Sequence, residues 1–120
     1  MIILSTEDNF TCLEAIVKFS EELTCEVAAF YFKSLDVTLL SFYRSPNGDF
    51  ERFLDIFENI VSHRTCSGRV ILCGDFNVQF LKLDAQARAF CDLAYSYGFD
   101  KLIFEPTRQL NCIDNIFKNF

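Results

Sequence analysis

The pattern of hydrophobic and polar residues changes along this chain, and each stretch predicts a different element. Residues 27–33 and 35–43 are β-branched, aromatic and almost continuously apolar, which is typical of strands covered on both faces. We favour pairing of these two strands. The link between them, however, lacks the Asn-Gly signal of a tight hairpin that would specify it. Residues 10–20 alternate as a strand would, although their spacing also fits one face of a helix; we take the strand as the preferred interpretation.

Two later segments have the helical period. Apolar residues within 50–61 fall on one face of a helix, and Asp49 is placed to cap its first turn. Asp84 can cap a second helix, which Gly98 would end. The inner face of this second helix carries Phe90, Leu93, Ala94 and Tyr97.

Short apolar stretches predict three further strands, at 69–73, 101–104 and 112–117. From residue 27 onwards, the resulting order is strand, strand, helix, strand, helix, strand, strand. This order indicates an α/β layer with a mixed sheet. We find no repeat, linker or change of composition, so the chain is interpreted as a single unit.

Composition supports a folded domain and restricts its functions. The 120 residues are 51% hydrophobic and 23% charged, which excludes a disordered tail or a collagen-like chain. Fifteen Phe, no Trp and a mean hydropathy of +0.18 make the chain unusually apolar for a free-standing domain of this size. A net charge of −6 argues against a basic surface for nucleic acid. It leaves room for a metal-dependent phosphodiesterase, whose centre needs clustered acidic residues.

Several of the six cysteines lie inside apolar runs, where a cysteine behaves as a small buried hydrophobic residue. No two have CxxC spacing, and the single histidine, His63, cannot complete a zinc set with them. Three disulfides are the less favoured alternative, because residues 1–4 are too short for a secretion signal and acidic residues soon follow. No apolar stretch reaches the length of a membrane span. We therefore expect a reduced, intracellular protein, in the nucleus or the cytoplasm.

Loops at strand ends carry the candidate chemistry, because functional residues of α/β folds gather there. Asp75 and Asn77 could bind a hard cation, activate water or hold a phosphate oxygen, although Gly-Asp-Phe-Asn also suits a plain turn. Tyr43 and Arg44 could contact a phosphate, although an edge tyrosine before a proline turn is the simpler alternative. Asp114 lies in an apolar strand, where an ionised carboxylate needs a partner unless it faces water.

Four motifs occur in a fixed order: Tyr-Arg-Ser-Pro at 43–46, Val-Ile-Leu-Cys-Gly-Asp-Phe-Asn at 70–77, Pro-Thr-Arg at 106–108 and Ile-Asp-Asn-Ile-Phe at 113–117. Together they resemble the endonuclease/exonuclease/phosphatase superfamily, with the strongest likeness to the endonuclease domain of non-LTR retrotransposons of the LINE or jockey type. The resemblance is clear from about residue 26 to residue 119. It implies that the chain is an incomplete domain of this family, a partial four-layer α/β sandwich of the DNase I or exonuclease III type.

The resemblance implies roles for individual residues. Asp75 corresponds to the aspartate that activates the attacking water, and Asn77 to the asparagine that holds this water or a phosphate oxygen. Tyr43 corresponds to the tyrosine that contacts the scissile phosphate. Asp114 corresponds to the aspartate that orients the catalytic histidine. Thr107 corresponds, less specifically, to a threonine near the nucleic acid.

Three parts of the family's site have no counterpart in the chain: the upstream asparagine, the metal-binding glutamate and the closing Ser-Asp-His motif. Glu14 and Glu26 do not lie in the required context, and His63 is best explained as a solvated residue at a helix end. The complete domain would bind Mg²⁺ and DNA, whereas this chain carries no complete metal site, with Asp75 nearest to the expected metal. We expect a fragment of a DNA endonuclease domain that is inactive by itself. The alternatives are a non-catalytic remnant and an interaction module that self-associates through a Phe-rich surface.

Overall fold

A six-stranded sheet with the spatial order β1-β2-β3-β4-β6-β5 is the centre of the fold. The computed structural model describes residues 10–81, 84–103 and 114–120. The strands are β1 (Phe10–Cys12), β2 (Cys25–Phe32), β3 (Val37–Arg44), β4 (Arg69–Asp75), β5 (Asp100–Lys101) and β6 (Asp114–Lys118). The helices are α1 (Glu14–Val17), α2 (Phe50–Val61) and α3 (Ala85–Ser96), and a 3₁₀ turn spans Arg64–Cys66.

The sheet is mixed, as predicted. β3 and β4 are parallel, whereas the neighbouring pairs β1–β2, β2–β3, β4–β6 and β5–β6 are antiparallel. A parallel pair needs a long crossover connection, which α2 provides between β3 and β4. The α/β fold class with two amphipathic helices is therefore confirmed. None of the helices in the described ranges has the length and apolar character needed to cross a bilayer.

The caps of the two long helices are confirmed. The Asp49 side chain accepts a hydrogen bond from the Arg52 backbone N–H at 3.0 Å, and that of Asp84 accepts one from the Ala87 N–H at 2.9 Å. Each cap satisfies a backbone donor that has no partner within its own helix. Gly98 follows α3 with a φ of +84°, as expected for a residue that ends a helix.

The predicted inner face of α3 is correct in its middle and wrong at its end. Phe90 and Ala94 are buried, whereas Leu93 is half-buried and Tyr97 is exposed. Tyr97 lies after the last helical residue, so the helical period no longer directs it to the core. Its hydroxyl instead donates a hydrogen bond to Glu58 at 3.1 Å.

The predicted strand over residues 10–20 is wrong for most of its length. β1 ends at Cys12, and the next residues form α1. The Leu13 carbonyl accepts hydrogen bonds from the backbone N–H groups of Ile16 and Val17, which turns the chain away from the sheet and buries Ile16 completely. The other strands are within a few residues of their predicted positions. Residue 104 of the strand predicted at 101–104, and residues 112 and 113 of the strand predicted at 112–117, lie outside the described ranges.

One face of the sheet is buried beneath the helices. We call it the covered face: Val27, Ala29, Leu40, Phe42, Val70, Leu72 and Phe117, all of which are buried. The ring of Phe57 from α2 lies 5.5 Å from that of Phe42, and the ring of Phe90 from α3 lies 5.6 Å from that of Phe117. Full burial of such a side chain contributes about 1.5–3 kcal/mol, so the abundant phenylalanine is explained by this layer.

The opposite face carries no helix of the described chain. We call it the open face. It consists of Phe10, Cys12, Glu26, Ala28, Phe30, Phe32, Val37, Leu39, Ser41, Tyr43, Arg69, Ile71, Cys73, Asp75, Asp114, Ile116 and Lys118. Apart from Phe32 and Val37, these side chains are half-buried or exposed. The expectation that residues 27–43 are covered on both faces is therefore wrong for the described chain. Their continuous apolarity arises because the open face is itself apolar between its polar ends.

Candidate active site

Four polar side chains from four strands form one row at an end of the open face. Glu26 of β2 is paired with Tyr43 of β3, Tyr43 with Asp75 of β4, and Asp75 with Asp114 of β6. Residues paired in this way direct their side chains to the same face of a sheet. We call these four residues the polar row. The structure thus places Tyr43, Asp75 and Asp114 side by side, and it adds Glu26, to which the sequence alone assigns no role.

The polar row borders two depressions in the surface. An open cleft of about 540 Å³ lies along Asp75 and Asp114 and is also lined by Ser41, Cys73 and Ile116. A smaller pocket of about 200 Å³ lies on the other side of Tyr43 and includes Glu26. Tyr43 itself is 47% exposed. A ligand can therefore reach the tyrosine hydroxyl and the carboxylates from solvent without any opening of the covered face.

Gly74 allows the β3 and β4 strand ends to approach closely beside the polar row. Its φ is +145°, a region that residues with side chains rarely adopt. A Cβ atom at this position would lie 1.9 Å from the carbonyl oxygen of Phe42 on the neighbouring strand. The glycine of the Gly-Asp-Phe-Asn motif is thus required by packing, and Asp75 follows it at the end of β4.

The turn after β4 directs Asn77 back towards β3. The Asp75 carboxylate accepts a hydrogen bond from the Asn77 backbone N–H at 3.1 Å, and Asn77 has a φ of +50°, which asparagine tolerates better than most residues. Its side-chain Nδ2 donates a short hydrogen bond to the Arg44 carbonyl oxygen. The amide is therefore bound to the main chain of β3, and its contact with water or phosphate stays a prediction.

Arg44 lies on the opposite side of the sheet from Tyr43. Successive side chains of a strand alternate between its faces, and Arg44 is only 4% exposed. Its Nη1 donates to the Asn77 carbonyl oxygen at 2.8 Å, and its guanidinium lies over the rings of Phe50 and Phe53. Burial lowers the pKa of this guanidinium. The predicted phosphate contact of Arg44 disagrees with this placement, because the side chain binds carbonyl groups beneath the sheet.

Asn115 is a polar residue that the sequence alone does not single out. It follows Asp114 in β6, so it points to the covered face and is 1% exposed. Its Oδ1 accepts a hydrogen bond from the Ile103 N–H, and its Nδ2 donates to the Ile103 carbonyl oxygen, both at 3.1 Å. The signal was present in Ile-Asp-Asn-Ile, where alternation requires one of the two polar residues to be buried and bonded.

The remaining candidates lie elsewhere. His63 follows α2 and accepts a hydrogen bond at Nδ1 from the Thr65 backbone N–H at 3.1 Å, so it caps the 3₁₀ turn. Its ring also packs against Phe19. Its position at a helix end agrees with the expectation, and it is half-buried. Thr107 lies outside the described residues.

Asp75 and Asp114 provide oxygen donors on neighbouring strands. Within 10–81, 84–103 and 114–120, no group of three or more His, Cys, Asp or Glu residues could hold a metal ion. Mg²⁺ prefers oxygen ligands and is often held by one or two carboxylates together with waters and substrate phosphates. The donor chemistry of the polar row therefore fits a weakly held Mg²⁺ and does not fit a closed site made of protein ligands alone.

The backbone is similar to those of several solved structures, although no protein-family model and no curated protein matches the sequence. The endonuclease domain of TRAS1, a telomere-specific non-LTR retrotransposon, matches with a TM-score of 0.73 and 18% identity over 96% of this chain and 57% of that one. The human Nocturnin catalytic domain, solved with bound sulfate, matches with a TM-score of 0.57 and 16% identity, over 92% of this chain and 48% of that one. An endonuclease/exonuclease/phosphatase family protein from Bacteroides thetaiotaomicron matches with a TM-score of 0.54 and 13% identity, over 94% of this chain and 49% of that one.

These matches cover nearly all of the described fold, whereas the chain spans only about half the length of each solved structure. At identities of 13% to 18% the likeness establishes the fold. The chain has a DNase I-like α/β fold, which it shares with the retrotransposon endonuclease domain and with the endonuclease/exonuclease/phosphatase family protein among these structures.

Proposed function

We propose that this chain carries part of the active site of a Mg²⁺-dependent phosphodiester hydrolase that acts on DNA, of the type found in non-LTR retrotransposons. The observation that supports this most strongly is the polar row, in which Tyr43, Asp75 and Asp114 stand on adjacent strands at an accessible end of the sheet. The similarity to the TRAS1 endonuclease domain supports DNA as the substrate.

The polar row supplies several of the groups that phosphodiester hydrolysis needs. The Asp75 carboxylate can accept a proton from an attacking water, and the Tyr43 hydroxyl can donate a hydrogen bond to a phosphate oxygen. The Asp114 carboxylate can orient a neighbouring group that transfers a proton. Mg²⁺ bound near Asp75, with waters and phosphate oxygens among its ligands, would neutralise charge on the phosphate. These assignments follow from residue chemistry and from the shared position at one end of the open face.

We propose further that this polypeptide does not turn over DNA by itself. Its single histidine, His63, caps the turn at Thr65 before the start of β4, whereas the polar row lies at the end of β4. Removing one member of a catalytic set that acts as a unit costs several orders of magnitude in rate. The chain would then carry only the part of the active site that contacts phosphate and binds metal.

Nicking of supercoiled plasmid DNA in the presence of Mg²⁺, with cleavage of an abasic-site duplex beside it, tests the proposal. We expect the 120-residue chain to give no more nicked product than its Asp75→Ala variant. Nicking by the wild-type chain that disappears in Asp75→Ala would contradict the incomplete site while supporting the assignment of Asp75.

Exposed apolar side chains on the open face favour a second candidate function, an interaction module that associates with itself. Phe10 and Ile116 are 43% and 38% exposed, and Leu39 and Ile71 lie between them half-buried. Contiguous apolar patches on a protein surface commonly mark interaction sites. Sedimentation velocity should then show concentration-dependent association that Ile116→Lys reduces and Leu35→Lys, in the exposed turn before β3, does not. A monomer at all concentrations would exclude this candidate.

A further inference from the structure

Arg44 and Asn77 are joined by hydrogen bonds in both directions. Nη1 of Arg44 donates to the Asn77 carbonyl oxygen at 2.8 Å, with a longer contact of 3.5 Å to the Phe76 carbonyl oxygen. Nδ2 of Asn77 donates in return to the Arg44 carbonyl oxygen. The side chain of each residue thus holds the main chain of the other, and the end of β3 is fixed to the turn after β4.

This connection begins where the sheet pairing ends. The last paired residues of β3 and β4 are Tyr43 and Asp75, so no ladder hydrogen bond fixes the two chains beyond them. Asp75 is linked to the same turn, because its Oδ1 accepts the Asn77 N–H at 3.1 Å. Displacement of Asn77 would therefore remove one contact of the Asp75 carboxylate and shift this group relative to the Tyr43 hydroxyl.

The Arg44 guanidinium lies in the core against two aromatic rings. It is almost fully buried, and its central carbon lies 5.1 Å from the ring centre of Phe50 and 5.6 Å from that of Phe53. These rings attract the cation. A buried charge is expensive, and an apolar residue of similar shape often preserves stability equally well. Stability alone therefore does not explain why a cation occupies this position, whereas the binding of two carbonyl groups does.

We propose that Arg44 is the positioning residue of the polar row. It touches no substrate, and it sets the Asp75 carboxylate relative to Tyr43 by holding the backbone of Phe76 and Asn77. Its effect on DNA cleavage rests on the function proposed above, but its effect on the geometry of the Asp75 turn does not. This role replaces the direct phosphate contact expected from the sequence.

Arg69 offers a matched control at the other end of the same strands. Its guanidinium also binds carbonyl groups, those of Leu35 and Asp36 in the turn before β3. Arg69→Met removes the same kind of donor from the opposite end of the β3–β4 pair. Arg44→Met removes the donors while keeping an unbranched side chain against Phe50 and Phe53, and Arg44→Lys keeps a cation with simpler donor geometry.

Amide hydrogen exchange and the backbone coupling that reports φ, both measured by NMR on the labelled chain, test the proposal. In Arg44→Met we expect the Asn77 N–H to exchange roughly tenfold faster, as the loss of a charge-assisted hydrogen bond implies, and the coupling of Asn77 to lose its positive-φ value. Arg44→Lys should restore part of both signals, and Arg69→Met should change neither.

An unchanged Asn77 exchange rate and coupling in a folded Arg44→Met protein would overturn the proposal. If Arg44→Met does not fold, Arg44→Lys is measured in its place. An Asn77 exchange rate and coupling identical to those of the wild type, despite the altered donor geometry, would also overturn the proposal. The measurement needs neither metal nor DNA. Its failure would leave the proposed function intact, whereas absence of metal binding at the polar row would count against the proposed function and leave the positioning role intact.

Discussion

The covered face and the open face are built from alternate residues of the same strands, yet they differ in almost every physical property. Leu40, Leu72 and Phe117 are completely buried on the covered face, whereas their direct neighbours Leu39 and Ile71 are only half-buried on the open face. The covered face can therefore supply most of the stability of the described fold. The open face can hold Asp75 and Asp114 because carboxylates there keep contact with water and avoid the full cost of burial.

The largest expected effect comes from removing a ring beneath the covered face. Phe90 lies 4.8 Å from the ring centres of both Phe57 and Phe76, so Phe90→Ala should lower the free energy of unfolding by about 3–5 kcal/mol. Ile116→Ala on the open face should cost less than about 1 kcal/mol, because Ile116 is already 38% exposed and has less burial to lose. Urea unfolding of both variants measures the difference. Equal losses would contradict the distinction between the two faces.

A somewhat smaller effect is expected at the boundary between the faces. Gly74→Ala adds a Cβ atom 1.9 Å from the Phe42 backbone oxygen and forces a strained φ, so it should cost about 3 kcal/mol. Gly98→Ala has a similarly positive φ but no atom within 4 Å of the added carbon, and it should cost only about 1 kcal/mol. Thermal unfolding compares them. If Gly74→Ala is no worse than Gly98→Ala, the close strand contact beside the polar row is not real.

Buried thiols make the stability of the covered side depend on pH. Burial raises the pKa of Cys25 to about 12 and that of Cys66 to about 11, from an ordinary value of 9.0. Above pH 9 the thiols of the unfolded chain lose their protons first, so the free energy of unfolding should fall as pH rises towards 11. The slope is about 1.4 kcal/mol per pH unit for each thiol.

The variants Cys25→Ala and Cys66→Ala provide the control for this pH dependence. Each variant should show a smaller fall in the free energy of unfolding with pH, because one buried thiol is absent. Each also creates a small cavity, which lowers stability at every pH. Denaturant unfolding at pH 8, 9, 10 and 11 separates the two effects. A decline that is the same in both variants and in the wild type would show that other groups cause it.

The sequence predicted the two long helices, and the succession of strands and helices from β2 onwards, for reasons that are local. Asp49 and Asp84 are strong cap residues, and the 3.6-residue period in 50–61 is unambiguous. Residues 10–20 fit both the two-residue period of a strand and the 3.6-residue period of a helix. Burial of Ile16 in the core favours the helix. Tertiary packing, which is invisible to periodicity, made that choice.

The candidate site was predictable in part. The positions of Tyr43 and Asp75 at strand ends, and of Asp114 within the last strand, followed from their motifs. The alignment of the three residues depends on strand register, which no local pattern fixes. The same register adds Glu26 to the row. Adjacency in sequence suggested that Arg44 shares the task of Tyr43, whereas strand alternation sends the two side chains to opposite faces.

Paramagnetic broadening by Mn²⁺, a substitute for Mg²⁺, is the most direct test of the claim that the polar row is part of a metal-dependent phosphodiesterase site. On adding substoichiometric Mn²⁺ to the labelled chain, amide signals near Tyr43, Asp75 and Asp114 should disappear first. Asp75→Asn should weaken this effect, and Asp55→Asn, which removes an exposed carboxylate from α2, should leave it unchanged. Earlier broadening around the acidic residues of α2, or an unaltered pattern in Asp75→Asn, would contradict the claim.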